Sequence, residues 1–82
     1  MREIDFELRG EHITLDALLK ANGLAASGGG AKMMIAGGKV QVDGQLELRR
    51  GAKLRAGQVV AITGTRIRLI APAPESETPP GI

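Results

Sequence analysis

The chain has 82 residues, with eleven Lys or Arg, nine Asp or Glu, one His and no Cys. That length allows one small domain with a modest core. The absence of Cys excludes a disulfide framework and a thiolate metal site, and a single histidine, His12, removes most metal sites and histidine-based catalytic schemes. The sequence therefore predicts no metal and no cofactor. Because Phe6 is the only aromatic residue, a base-stacking platform is not expected.

The charges are unevenly distributed along the chain. Residues 1–18 carry five acidic and two basic side chains, residues 19–70 carry nine basic and two acidic, and residues 71–82 carry two acidic. A basic body between acidic ends predicts association with a polyanion. No apolar run approaches the ~20 residues of a membrane span, and the charged first ten residues do not resemble a secretory signal. We therefore expect a cytoplasmic protein without a membrane partner.

The first predicted elements are a strand and a helix. Residues 3–8 alternate between apolar and acidic side chains, which predicts a half-buried strand. The helix that follows has Thr14 at its N-cap and Asp16 in its first turn, and Asn22-Gly23 ends it. Its apolar stripe consists of Leu15, Leu18 and Leu19.

A second helix starts at Ser27, a good N-cap, and ends at Gly37-Gly38. Its apolar stripe is Ala31, Met34, Ile35 and Gly38. Each glycine inside a helix costs roughly 1 kcal/mol relative to alanine. The run Gly28–Gly30 therefore has two interpretations. Either its bare N–H groups let a phosphate approach the backbone closely, or the glycines form a flexible helix start that the fold tolerates.

The remainder of the chain predicts a small sheet. Residues 39–42 alternate, Asp43-Gly44 is a strong signal for a type I′ hairpin turn, and residues 45–48 form the return strand. Two further strands are predicted over residues 58–62 and 66–70. The proline-rich, acidic residues 71–82 are expected to be a disordered tail. The prediction is one α+β domain over residues 1–70, with two short packed helices followed by a small, mostly antiparallel sheet.

The order of these features resembles the alpha-L RNA-binding domain, the fold named after the fourth small-subunit ribosomal protein, including its short stand-alone bacterial forms. The resemblance covers residues 15–62, and the ordered set of pieces is more specific than any one of them. The matching residues are Leu15-Asp16, Leu18-Leu19, Gly23-Leu24, Ser27, Ala31, Met34-Ile35, Gly38-Lys39, the hairpin residues 40–44 and the segment 53–60.

The resemblance implies a non-catalytic protein that binds structured RNA, expected to be ribosomal, through a cationic face on the second helix and the adjoining hairpin. Members of the family often carry two arginines after the capping serine, where this chain has Gly28 and Gly29. Many also carry a basic residue where this chain has Thr14. Contacts to the RNA backbone would set affinity and position. The residues expected to contact RNA are Ser27, Lys32, Lys39, Arg49, Arg50, Lys53 and Arg55.

Three other classes of function compete with RNA binding as explanations of the sequence. An enzyme is not expected, because His12 and Asp16 lie at a helix start and form no nucleophile–base pair, and no small-molecule substrate is implied. DNA binding is not expected, because the sequence has no recognition-helix pattern. The alternative kept open is a small protein-interaction module that binds an acidic protein surface or a ribosomal protein. With either function we expect a monomer. For Arg66 and Arg68 we favour an ordinary solvated strand face, because alternation alone explains them.

Overall fold

The computed structural model describes residues 2–72 and has an α+β fold, as predicted. Its helices are α1 (Leu15–Ala21) and α2 (Gly28–Ala36). Its strands are β1 (Arg2–Glu7), β2 (Ile13–Thr14), β3 (Val40–Val42), β4 (Gln45–Leu46), β5 (Lys53–Leu54), β6 (Val59–Ile62) and β7 (Thr65–Ile70).

Five of the strands form one sheet in the order β1-β7-β6-β3-β4, and β2 pairs with β5 in a separate two-stranded ladder. Every pairing is antiparallel except that of β1 with β7. The strand that precedes the helices therefore closes one edge of the sheet by pairing with the last strand. The β3–β4 hairpin forms the opposite edge.

A single apolar core joins the inner face of the sheet to both helices. Alternate residues of β7 are buried and exposed, as its sequence predicts, and the predicted stripe of α1 is fully buried. Such burial is the main stabilising contribution in a domain of this size. The buried apolar residues are Leu8, Leu15, Leu18, Leu19, Ala25, Ala31, Ile35, Val40, Val42, Leu54, Val60, Ile62, Ile67 and Leu69.

The start of α1 is capped by distant backbone rather than by a side chain. Thr14 occupies the N-cap position, as predicted, but its hydroxyl accepts no backbone N–H. The N–H groups of Leu15 and Asp16 instead donate to the carbonyls of Ala52 and Arg50, both at 3.0 Å. These bonds satisfy donors that a helix start otherwise leaves free. They also fix residues 50–52 against the first turn of α1.

The predicted start and end of α2 and the predicted hairpin turn are confirmed. The Ser27 hydroxyl accepts from the Gly30 N–H at 3.1 Å, and Gly38 takes the left-handed φ of 77°. Asp43 and Gly44 have φ values of 53° and 83°, the positive angles of a type I′ turn. The return strand ends at Leu46, two residues earlier than predicted.

Within residues 2–72, neither helix is long and apolar enough to span a membrane. The predicted disordered tail lies outside the described residues from position 73 onwards.

Candidate nucleic-acid interface

Helix α2 contributes two of the predicted contact residues, Ser27 and Lys32, and both are exposed. The Ser27 oxygen already accepts from Gly30, so its hydroxyl is left with a proton to donate outward. Lys32 lies on the solvent side of the helix, beside Met33, which is 75% exposed. The helix therefore presents one cation and one apolar side chain next to each other.

The glycines at the start of α2 are not required by packing. A Cβ at Gly28 would meet no atom within 4 Å, and at Gly29 or Gly30 it would meet only the Ser27 Oγ, at 3.9 and 3.6 Å. None of the three has a positive φ. The fold therefore has room for side chains at these positions, including the arginines that the resemblance leads one to expect at the first two.

Lys39 precedes β3 and is exposed. It lines a shallow hollow of about 250 Å³ with Gln41 and with Thr63 and Thr65 of the β6–β7 turn. The sequence predicts Lys39 at the entry of a strand. The sheet brings it next to a turn more than twenty residues away along the chain, so polar threonine side chains lie beside this cation.

Arg49 is held beside the hairpin by a carboxylate. Its backbone N–H and its Nε both donate to Glu47 Oε2, at 3.1 and 3.2 Å. The bond from the Arg49 N–H, with the Arg49 side chain, holds the pKa of Glu47 below its ordinary value. Glu47 in turn donates its N–H to the Val40 carbonyl, which brings Arg49 to the start of β3. The Arg49 side chain remains 82% exposed, so it is reachable but partly neutralised.

Arg50 has a partly neutralised charge as well. Its carbonyl accepts from the Asp16 N–H, which places it at the first turn of α1. A hydrogen bond from the Thr14 side chain lowers the pKa of Asp16, and the charge of Arg50 lowers it further. The two arginines that cluster in the sequence thus each have an acidic neighbour in space.

Lys53, in β5, and Arg55, directly after it, lie further along the chain. Lys53 faces Thr14 in the β2–β5 ladder and is exposed. The Arg55 N–H donates to Gln58 Oε1 at 2.7 Å, and Arg55 lines a hollow with Gly10, Glu11 and Pro72. Neither side chain forms an ion pair within the described part of the chain. The seven predicted residues therefore lie along α2, at the start of β3 and within residues 49–55, and do not converge on one pocket.

The arginines on the outer face of the sheet are paired across strands. Arg66 lies 3.6 Å from a Glu3 carboxylate oxygen, and Arg68 Nε lies 3.2 Å from Asp5 Oδ1. These pairs follow directly from the β1–β7 register. This arrangement supports leaving Arg66 and Arg68 out of the candidate interface, and it gives the acidic face of β1 a partner that the sequence did not reveal.

Three exposed apolar side chains near the cations were missed by the sequence reasoning. Met33, Leu46 and Leu48 are 75, 55 and 56% exposed. A Cβ at Gly38 would lie 3.9 Å from Leu46 Cδ1, so the hairpin approaches the end of α2. Met33 could have been noticed, because it falls outside the helical stripe of Ala31, Met34 and Ile35. Leu46 lies within β4 and Leu48 follows it, and both are exposed to the same extent.

Residues 2–72 contain no group of three or more side chains suited to holding a metal ion.

Two short helices together with a small, mostly antiparallel sheet match the alpha-L class of fold. The chain belongs to the S4 domain family, whose family model matches residues 6–70. This confirms the resemblance found in the sequence.

The relatives are small bacterial proteins of nearly the same extent. The chain is 43% identical over 60 residues to the Escherichia coli K12 protein named "Putative RNA-binding protein YbcJ", covering 73% of this chain and 86% of that protein. YbcJ of Shigella flexneri, named as uncharacterized, matches with the same identity and coverage. The solution structure of Escherichia coli YbcJ has a TM-score of 0.64 and 41% identity over 82% of this chain and 86% of that one. That structure is described as revealing an alpha-L motif involved in RNA binding.

Proposed function

We propose that this protein binds structured RNA without catalysing a reaction, and that ribosomal RNA in the cytoplasm is its target. The observation that carries the proposal is the contrast between two sets of cations. Lys32, Lys39 and Lys53 are exposed and form no ion pair among residues 2–72, whereas the sheet arginines are paired with β1 carboxylates. The RNA-binding part of the proposal is also supported by membership of the S4 domain family and by the YbcJ structure, whose alpha-L motif is described as involved in RNA binding.

The proposed contacts are to the RNA backbone. The three lysines lie on helix α2, directly before β3 and in the short strand β5, so each can contact a different phosphate of a folded backbone. Phe6, the sole aromatic residue, is half-buried, so base stacking on an aromatic ring has no platform here. Recognition therefore depends on RNA shape and charge. Further contacts around the three lysines come from Arg49, Arg50, Arg55 and the Ser27 hydroxyl.

Affinity for RNA should fall steeply with salt. Each phosphate contact contributes about 0.7 to 0.9 to the slope of log K against log salt concentration. We would titrate a folded ribosomal RNA fragment, and a single-stranded RNA of the same composition, over a range of salt. The proposal expects tighter binding to the folded fragment, and a slope that decreases by about 1 for each of Lys32→Gln, Lys39→Gln and Lys53→Gln.

Arg66→Gln is the matched control, because it also removes one exposed positive charge but lies on the outer face of the sheet. It should leave the slope close to that of the parent chain. Absence of binding at low salt, or equal losses in the control and the three lysine variants, would refute the proposed surface. Salt-sensitive binding to an acidic protein in place of RNA would favour the interaction-module alternative.

A further inference from the structure

Strand β1 has an open hydrogen-bonding edge. On its β7 side, the N–H of Arg2 and the N–H of Leu8, which directly follows β1, donate to the carbonyls of Gly64 and Ile70 at 2.9 and 3.0 Å. In a parallel strand pair, every second residue forms hydrogen bonds to the neighbouring strand, so the even-numbered residues of β1 bond to β7. The backbone groups of Glu3 and Asp5 point the other way and have no partner within residues 2–72. An open edge of this kind is a template for another strand.

A hollow of about 540 Å³ lies alongside this edge. Its apolar lining comes from Phe6 of β1, Ile13, and Ala17 and Ala21 of α1. The two alanines are four residues apart, so they occupy one face of the helix and leave space above it. A strand added beside β1 would direct alternate side chains into this hollow.

The other side chains of an added strand would lie on the outer face of the sheet, next to the carboxylates of Glu3 and Asp5. Those carboxylates already pair with Arg66 and Arg68 on their β7 side, at 3.6 and 3.2 Å. A basic residue on the added strand would repeat the same cross-strand pairing on the open side, where opposite charges are favourable. Arg9 also lines the hollow, but it lies beyond the last residue of β1.

We propose that the open edge of β1 binds an extended peptide segment of another protein, with Lys or Arg at alternate positions and small apolar residues between them. Two other occupants fit less well. A second copy of β1 would place acidic side chains against acidic side chains, which is unfavourable. Residues 73–82 carry three prolines and two glutamates, and proline cannot donate to a sheet ladder. This site is at the opposite edge of the sheet from the β3–β4 hairpin, so it does not depend on the RNA proposal.

The test uses the full chain and a synthetic peptide of alternating Lys and Val, about seven residues long to match one strand. Amide chemical shifts and hydrogen exchange report the contact. The proposal expects shifts at β1 and α1, and slower exchange at the Glu3 and Asp5 amides. The first control peptide has Glu in place of Lys. The second is N-methylated at alternate residues, which removes the ladder hydrogen bonds and leaves the charge. Both should bind at least about tenfold more weakly.

Ala21→Arg fills the hollow from an exposed helix position and should weaken the peptide by about tenfold or more, while leaving RNA binding unchanged. Asp5→Lys should weaken it as well. Equal binding by the N-methylated peptide would overturn the proposal, because it would show adsorption by charge alone. Shifts confined to other surfaces, no binding at all, or concentration-dependent pairing of this chain through β1 would also overturn it.

Discussion

Replacing Glu47 by Gln should strengthen RNA binding and slightly weaken the fold. The Glu47 carboxylate accepts from the Arg49 N–H and Nε at 3.1 and 3.2 Å, so it neutralises part of the proposed interface. Glutamine keeps a side-chain oxygen that can accept from the same N–H, but it removes the negative charge. The pKa of Glu47 is lowered in the folded protein, so the ionised carboxylate favours folding, and losing it reduces stability.

The expected gain in affinity follows from Coulomb's law. A phosphate bound by Arg49 would lie roughly 7 Å from the Glu47 carboxylate, and in water-like surroundings that repulsion is about 0.6 kcal/mol. Removing it corresponds to about threefold in Kd at low salt. Because the Debye length falls from about 10 Å at 0.1 M to 3 Å at 1 M salt, the gain should shrink as salt is added.

Glu3→Gln is the matched control for this experiment. It removes one carboxylate from another exposed Glu–Arg pair, with the same change in net charge, but on the outer face of the sheet. Fluorescence anisotropy with a folded RNA fragment would compare the two variants. If Glu3→Gln strengthened binding as much as Glu47→Gln, the effect would come from net charge alone, and Arg49 would not be part of the interface. An unchanged or weaker affinity of Glu47→Gln would refute the reasoning directly.

Three further predictions concern the fold that carries the interface. Ser27→Ala removes the acceptor for the Gly30 N–H and should lower the free energy of unfolding in urea by about 1 kcal/mol; an unchanged value would mean that this cap contributes nothing. Asp43 accepts from the Val59 N–H at 2.9 Å, so Asp43→Ala should cost about 1 to 3 kcal/mol, whereas Asp43→Asn should retain most of the stability because it keeps the turn and an acceptor; equal losses in the two variants would contradict this. The pKa of Asp16 is lowered from its ordinary value of 3.8. Its contribution to the free energy of unfolding is therefore present above that pH and is lost as pH falls through the folded-state pKa. Asp16→Asn should therefore reduce the pH dependence of the free energy of unfolding below about pH 4. An unchanged pH dependence would contradict a stabilising role for the ionised Asp16.

Local sequence signals were sufficient for the two helices and the hairpin. The helical spacing of Leu15, Leu18 and Leu19 predicted a buried stripe because burial and helical period act within one element. Asp43-Gly44 predicted its turn because only a few residue types accept positive φ at both positions. Each of these features depends on neighbours fewer than five residues apart.

Features that depend on long-range contacts were not predictable. The first turn of α1 is capped by the carbonyls of Arg50 and Ala52, and the Thr14 hydroxyl does not cap it. Nothing near Thr14 in the sequence indicates this, because the acceptors arrive through the β2–β5 ladder. Asp43 likewise looked like a turn residue only, yet its carboxylate accepts from the Val59 N–H.

The candidate interface was predictable in part. Lys32, Lys39 and Lys53 are exposed, as a contact to phosphate requires, although their contact with RNA stays a prediction. The pairing of Glu47 with Arg49 spans only two residues and could have been anticipated. The β6–β7 turn beside Lys39 could not, because that neighbourhood exists only once the sheet is assembled.

The order of strands also determines which cations the acidic strand β1 meets. The acidic strand β1 is at one edge, and its carboxylates pair with Arg66 and Arg68 of the neighbouring β7. The β3–β4 hairpin forms the other edge and follows Lys39, which forms no ion pair within residues 2–72. If β1 paired beside the hairpin instead, its carboxylates would lie next to Lys39 and would compete with the proposed phosphate contact. Pairing β1 with β7 thus places the carboxylates of Glu3 and Asp5 beside Arg66 and Arg68 and at the opposite edge of the sheet from the hairpin.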